Sequence, residues 1–318
     1  MKAPTFEKTS IRAEGLRKAF GTRVAVDGVS ITVRAHELVG LLGPNGAGKT
    51  TTLSMLSGVL KPDTGSVSIA GLDLDRNPLA ARRQLGLVPQ SIALYPALTA
   101  AENLAFFGKI QGLAAAQSST RTRNLLEAVG LADRAADAVE GFSGGMKRRL
   151  NLACGMIHSP EVLLLDEPTV GVDPQSRGRI FDVVVDAAAH GAAILYSTHY
   201  MEEVERICTR VILIDHGRTV ADGTAAELIA QAGSSPRVDV RTREALEPGW
   251  ANGIGRAVNF DDGARFGASL ELDDLDRVPE VMRRAERAGG EVLEVHVHRP
   301  NLQDAFLKLT GHALRDAP

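Results

Sequence analysis

The stretch Glu37–Leu60, ELVGLLGPNGAGKTTTLSMLSGVL, changes its periodicity across one glycine-rich turn. Leu38 to Leu42 form a continuous apolar run, the pattern of a strand buried on both faces of a sheet. From Lys49 onward the pattern is helical, until Lys61-Pro62 stops it. Between the two, Gly43-Pro44-Asn45-Gly46-Ala47-Gly48-Lys49-Thr50 matches G-x-x-x-x-G-K-[ST] in the strand–loop–helix setting that this motif requires. Such glycines let backbone N–H groups close around phosphates, and the helix N-terminus adds positive potential. Lys49 is then expected to reach the β- and γ-phosphates, and Thr50 to offer its hydroxyl to Mg²⁺.

Working outward, IRAEGLRKAF (11–20) and VAVDGVSITV (24–33) read as strands joined by a turn at Gly21-Thr22, and GSVSIAGLDL (65–74) as an edge hairpin. LGLVPQ, EVLLLD, AAILYST and RVILID read as strands, and they alternate with helices such as SRGRIFDVVVDAAAHG. That alternation predicts an α/β fold with a doubly wound, mainly parallel sheet and an antiparallel β edge. Thr99 to Glu140 form a helical insert, opened by the capping box Thr99-x-x-Glu102. A linker at AQAGSSPR (230–237) separates the expected first domain, 1–230 with a helical subdomain at about 95–160, from a small C-terminal α+β domain at 231–318. No motif in that second domain connects to chemistry.

The 318 residues carry 36 Lys+Arg against 39 Asp+Glu and 44% hydrophobic residues. That is enough for a full core, with no basic excess for wholesale nucleic-acid binding. Cys154 and Cys208 lack metal-ligand spacing and are expected to be small core residues in a reducing compartment. MKAPTFEKTSIRAEG shows no apolar h-region, and no window offers about 20 consecutive apolar residues, so the chain is not expected to span a membrane by itself.

Three further places carry polar residues at strand or helix ends. VLLLDEP (162–168) ends a buried strand in two carboxylates, where ligands of open α/β sheets bind. Asp166 fits an Mg²⁺ ligand, and Glu167 fits the group that orients an attacking water. His199 follows the strand AILYST, and Gln90 ends LGLVPQ; by chemistry alone each is either a structural residue or a contact to phosphate or metal. EGFSGGMKRRL (140–150) opens a helix with Ser143 and two glycines but puts three cations in its first turn, where the macrodipole prefers anions. It is either a Ser143 cap with a solvated basic face or a helix end awaiting negative charge.

Taken in order, GPNGAGKTT, LVPQ, FSGGM, LLLDEP, GVD and STH resemble the ATPase subunit of an ATP-binding-cassette transporter, a P-loop NTPase, from about residue 11 to about residue 230. The resemblance implies ATP and Mg²⁺ as ligands and supplies further roles. Phe20 matches the aromatic that stacks on adenine, and Gly43, Pro44, Asn45, Gly46, Ala47, Gly48, Lys49, Thr50 and Thr51 match the Walker A loop. Gln90 matches the Q-loop glutamine, and Ser143, Gly144 and Gly145 the family signature. Asp166 and Glu167 match the Walker B aspartate and catalytic glutamate, Asp173 the D-loop and His199 the switch histidine. By this likeness, the anion facing Ser143 is the γ-phosphate held by a second copy in a head-to-tail homodimer.

The signature departs from Leu-Ser-Gly-Gly-Gln, with Phe142 and Met146 at its ends, and the D-loop reads Val170-Gly171-Val172-Asp173. FSGGMKRRL, PTVGVDP and NLQDAFLKLTG look most like the drug, antibiotic and lipo-oligosaccharide export ATPases. They imply a separate membrane permease and a location at the cytoplasmic face of the membrane. A soluble cassette ATPase acting on nucleic acid or ribosomes, an importer ATPase and a nucleotide-binding regulator without turnover are the alternatives. The regulator fits poorly with Glu167 retained beside Asp166.

Overall fold

The computed structural model describes residues 9–258 and 266–311; residues 1–8, which begin the N-terminal stretch discussed above, lie outside them. These residues form two compact units, divided between Thr224 and Ala225.

The first unit begins with β1 (Thr9–Phe20), β2 (Arg23–Arg34), β3 (Leu38–Leu42), α1 (Lys49–Leu56), β4 (Thr64–Ile69), β5 (Leu72–Asp73), α2 (Pro78–Arg83) and β6 (Leu85–Val88). The helical insert follows as α3 (Ala100–Ile110), α4 (Ala115–Ala128) and α5 (Gly144–Met156). Then come β7 (Val162–Asp166), α6 (Pro174–Ala189), β8 (Ala193–Thr198), α7 (Met201–Ile207), β9 (Arg210–Asp215) and β10 (Arg218–Gly223). Thr99 and Glu102 exchange both bonds of the expected capping box at the start of α3.

The central sheet has the order β10-β9-β3-β8-β7-β6, parallel throughout except for β10. A separate antiparallel sheet, β2-β1-β4-β5, forms the β edge. The continuous apolar runs have a plain cause in two cores. Leu163 and Leu165 of β7, with Ile194 and Tyr196 of β8, enter a cluster built with the helical insert and α6. Their neighbours Val162, Leu164, Ala193 and Leu195 enter a second cluster with α1 and the antiparallel sheet. A strand covered on both faces has no polar alternation to show.

Parallel register sets the site. Leu42 lies level with Thr198, Ser197 with Asp166, and Leu165 with Val88. Four strands therefore release their chains at one edge, where Gly43, Gln90, Glu167 and His199 follow within two residues.

The second unit holds α8 (Ala225–Gln231), β11 (Arg237–Thr242), β12 (Arg256–Val258), β13 (Gly267–Glu271), α9 (Val278–Arg287), β14 (Val292–His298) and α10 (Leu302–Thr310). Its antiparallel sheet, β12-β13-β11-β14, packs Val238, Val240 and Leu270 with Val281 and Ala285 of α9. α8, which precedes the predicted linker, packs with α10 in this unit. Cys154 is buried and Cys208 partly so, and burial pushes both thiols up, away from the reactive thiolate.

Candidate nucleotide site

The glycine-rich loop leaves α1 with an open start. Gly48 occupies the N-cap at φ 106° with no side-chain cap, and no acid lies in the first turn. A side chain at Gly48 would be strained by that φ, and its Cβ would come within 2.6 Å of the Ala25 carbonyl. The loop closes through Ala47 N–H to the Pro44 carbonyl at 3.1 Å, and helical bonding starts from Thr52 N–H to the Gly48 carbonyl at 2.9 Å. What remains is a helix N-terminus with its dipole turned to a cavity.

Lys49 is 4% exposed. Its Nζ donates to the carbonyls of Gly43 at 2.8 Å and Pro44 at 3.1 Å, and lies 3.3 Å from Glu167 Oε1. Burial pushes the ammonium below the ordinary lysine range, while the Glu167 carboxylate pulls it back up.

Glu167 is the meeting point of the strand ends. Gln90 Nε2 donates to Oε2 at 3.1 Å, and His199 Nδ1 lies 3.3 Å from Oε1, beside Lys49. Its backbone sits at φ 45°, a left-handed conformation that costs a non-glycine residue on the order of 1–3 kcal/mol. Ser197 holds it there, because both its carbonyl and its Oγ accept the Glu167 N–H, at 3.1 and 3.2 Å. The same hydroxyl donates to Asp166 Oδ1 at 2.6 Å, so one serine orients both acids.

Phe20, Asn45, Lys49, Thr50, Gln90 and Glu167 line an open cavity of about 460 Å³, with Gly46, Gly48 and Thr51 on its wall. Phe20 is 53% exposed, a large ring left in water at the cavity mouth. Arg23 also lines the cavity, a cation not anticipated from sequence because it sits in an ordinary strand start. An uncapped helix end, a buried ammonium, a threonine hydroxyl and two strand-end carboxylates form a donor set that fits a nucleotide triphosphate with Mg²⁺. Asp166 is 4% exposed, with one oxygen already taken by Ser197.

The signature stretch has different surroundings. Ser143 caps α5, its Oγ accepting Met146 N–H at 3.2 Å, and Asp173 caps α6 by accepting Ser176 N–H at 2.9 Å. The two caps adjoin, because a Cβ on Gly145 would come within 2.7 Å of Asp173 Oδ2. Ser143, Gly144, Gly145 and Asp173 do not line the cavity of their own chain.

The three cations of that stretch have backbone partners. Lys147 Nζ donates to the Glu140 carbonyl at 3.2 Å, and Arg149 caps the end of α4 at the Val129 and Gly130 carbonyls. Arg148 joins the Gln90 and Val170 carbonyls, tying α5 to the segment after β6 and to the segment after Glu167. Their charge thus meets carbonyl oxygens of this chain, which resolves the oddity of a basic first turn. Met146, in place of the signature glutamine, packs against the apolar cluster of the helical insert.

Sequence reasoning missed Ser197 and Arg148. The serine hides inside a buried strand, and the arginine inside a run that looks solvated. Only a polar residue at a position buried by strand pairing could have signalled the first.

Residues 26–170 match the family model described as ABC transporter. The chain is 40% identical to the linearmycin resistance ATP-binding protein LnrL of Bacillus subtilis (strain 168), over 96% of this chain and 100% of that protein. It is 39% identical to the daunorubicin resistance ATP-binding protein DrrA3 of Streptomyces coeruleorubidus, over 95% and 96%. It is also 39% identical to the Nod factor export ATP-binding protein I of Paraburkholderia xenovorans (strain LB400), over 97% and 99%. A solved ATP-binding subunit of an ABC transporter superposes with a TM-score of 0.66 at 32% identity, covering 71% of this chain and 94% of that one. The chain belongs to the ATP-binding subunits of ABC transporters, and it is an ATPase. Among the described residues no helix is long and apolar enough to cross a membrane.

Proposed function

We propose that this subunit couples ATP hydrolysis to export of a drug, antibiotic or lipid-like compound through a separate membrane permease. One observation carries the reading of the site: Lys49, Gln90 and His199 converge on the carboxylate of Glu167, each within 3.3 Å, at the strand ends beside the uncapped start of α1. ATP would lie with its base against Phe20 and its phosphates along Gly43–Thr51, and Lys49 would turn from Glu167 and the loop carbonyls to the β- and γ-phosphates. Among the described residues no cluster of His, Cys, Asp or Glu could hold a metal alone. Thr50, Gln90 and Asp166 would hold Mg²⁺ together with the phosphates, and the ion would supply neutralisation of developing charge there.

Freed from Lys49, Glu167 orients water, and His199 donates towards the γ-phosphate. Catalysis is then positioning plus charge stabilisation. Ser143, Gly144, Gly145 and Asp173 lie away from their own cavity, which supports a head-to-tail homodimer in which they complete the partner's site. The relatives named above are ATP-binding proteins of antibiotic resistance and of Nod factor export. They favour an exporter over an importer or a soluble ATPase acting on nucleic acid or ribosomes, and that reading puts the subunit's working position at the cytoplasmic face of a membrane. The second unit, in which no comparable site is found among the described residues, is assigned to dimer support or regulation. The test is co-purification from membranes, followed by vesicle transport assays with a compound panel. ATPase activity that is lost on chelating Mg²⁺ and stimulated by an exported compound is expected. Isolation only as a soluble species with no membrane partner would overturn the reading.

A further inference from the structure

A second buried carboxylate lies behind the site. Glu203, on α7 between Glu202 and Val204, is 2% exposed and has no place in the motifs. A carboxylate taken out of water needs charge or hydrogen bonds in return. Thr169 Oγ1 donates to its Oε1 at 2.7 Å. Tyr196 OH and Thr198 Oγ1 donate to its Oε2, each at 2.9 Å. Arg177 Nε stands 3.6 Å from Oε1. Burial and the Glu203 charge push the Tyr196 hydroxyl up, which keeps it a donor.

These hydroxyls come from the segments that flank the reacting edge: Thr169 two residues beyond Glu167, and Tyr196 and Thr198 from the end of β8. Thr198 Oγ1 has a second role, accepting the Tyr200 N–H at 3.0 Å. That bond closes the turn on which His199 stands. The Tyr200 ring lies 4.1 Å from the His199 ring, centroid to centroid, and the Arg177 guanidinium lies 5.6 Å from the Tyr200 ring. A volume-matched methionine would fill the same core space but leave three buried hydroxyls without their acceptor, and nothing would hold Thr198 in the orientation that receives Tyr200 N–H.

We propose that Glu203 is a positioning residue of the ATPase site: through Thr198 it holds the turn that sets His199 against Glu167. The proposal rests on the assignment of His199 and Glu167 above. Glu203 touches neither nucleotide nor water in this scheme; it acts through His199 alone.

The test measures Mg²⁺-dependent ATP hydrolysis by the full chain for Glu203→Gln, Thr198→Val, His199→Ala and the double variant Glu203→Gln/His199→Ala. Thr198→Val leaves Glu203 two hydroxyl donors and keeps the side-chain shape, so it reports on the turn even where Glu203→Gln folds poorly. Each of these two variants is expected to lower kcat about 5–20-fold with KM for ATP within about 2-fold of the parent. The double variant should fall within about 2-fold of His199→Ala, because removing His199 removes what Glu203 positions. Multiplicative losses in the double variant, or a change confined to KM, would overturn the role of Glu203 while leaving His199 in place. So would unchanged kcat in both Glu203→Gln and Thr198→Val. Full activity in His199→Ala would remove the assignment of His199 itself, and the proposal with it.

Discussion

Two helix starts in this molecule are assigned to the same phosphate, and they are built in opposite ways. α1 begins at Gly48 with no side chain over its amides. α5 begins at Ser143, whose hydroxyl already accepts Met146 N–H. Glycine at the first cap leaves the dipole open to any anion that enters the cavity, so α1 can receive a phosphate before a second chain closes on it. Serine at the second cap satisfies α5 locally, at a gain of about 1 kcal/mol over alanine. Its hydroxyl serves a ligand only by sharing or leaving that bond. The difference teaches why one helix start can bind nucleotide first, and why the other is suited to closing on it later.

Glu167 stands on the α1 side of that comparison, and its loss should have the largest effect. Glu167→Gln is expected to reduce ATP turnover by about 10²–10⁴-fold while nucleotide still binds and dimer accumulates, read by steady-state hydrolysis and gel filtration with ATP. Near-normal turnover would break the assignment. Lys49→Ala should weaken ATP binding itself, by roughly 10–100-fold in a fluorescent-nucleotide titration, because a charge-assisted donor to phosphate is lost.

The sharpest test of the α5 side uses two replacements for Ser143. Ser143→Ala should lose about 1 kcal/mol of stability and Ser143→Gly only a few tenths, read by thermal melts without nucleotide. Both should lower hydrolysis about 10-fold, since each lacks the hydroxyl proposed to reach the partner's phosphate. Full turnover in Ser143→Gly would make α5 merely a capped helix and erase the contrast with α1. Ending the chain after Thr224 removes the whole second unit, including α8. On the dimer-support assignment it should weaken ATP-dependent dimerisation by about 10-fold or less, the scale of a coupling energy near 1 kcal/mol, in analytical ultracentrifugation. Unchanged dimerisation and ATPase rates would remove that assignment. The smallest effect belongs to Met146→Gln, within about 2-fold of parent turnover, because the Met146 side chain packs against the insert's apolar cluster and its hydrogen bond to Ser143 is made by the backbone.

Legibility from sequence followed how local each signal was. The strand–loop–helix of Glu37–Leu60, the capping box at Thr99 and the cap at Ser143 depend on residues a few positions apart, so their patterns survive in one dimension. The order of motifs carried the family, and that assignment agrees with relatives near 40% identity along almost the whole chain. The two arginines of α5 were misleading in one dimension, since their carbonyl partners lie just past α4, at Gln90 and after Glu167. Nothing near them in sequence distinguishes a solvated basic face from side chains inserted between segments.

From its residues alone this chain specifies a mainly parallel α/β cassette, a phosphate loop and the two acids at the end of VLLLDE, because each is a short-range pattern of burial or backbone geometry. Its sequence could not specify that Lys49, Gln90 and His199 meet on one carboxylate, that Ser197 orients both acids, or that Glu203 lies buried beneath Thr198. Those facts arise from parallel strand register and from packing between residues 30 or more positions apart, as in Ser197 to Glu167, Thr169 to Glu203 and Gln90 to Glu167. A hydrogen bond between distant segments leaves no periodicity in either one, so only the folded chain reveals it.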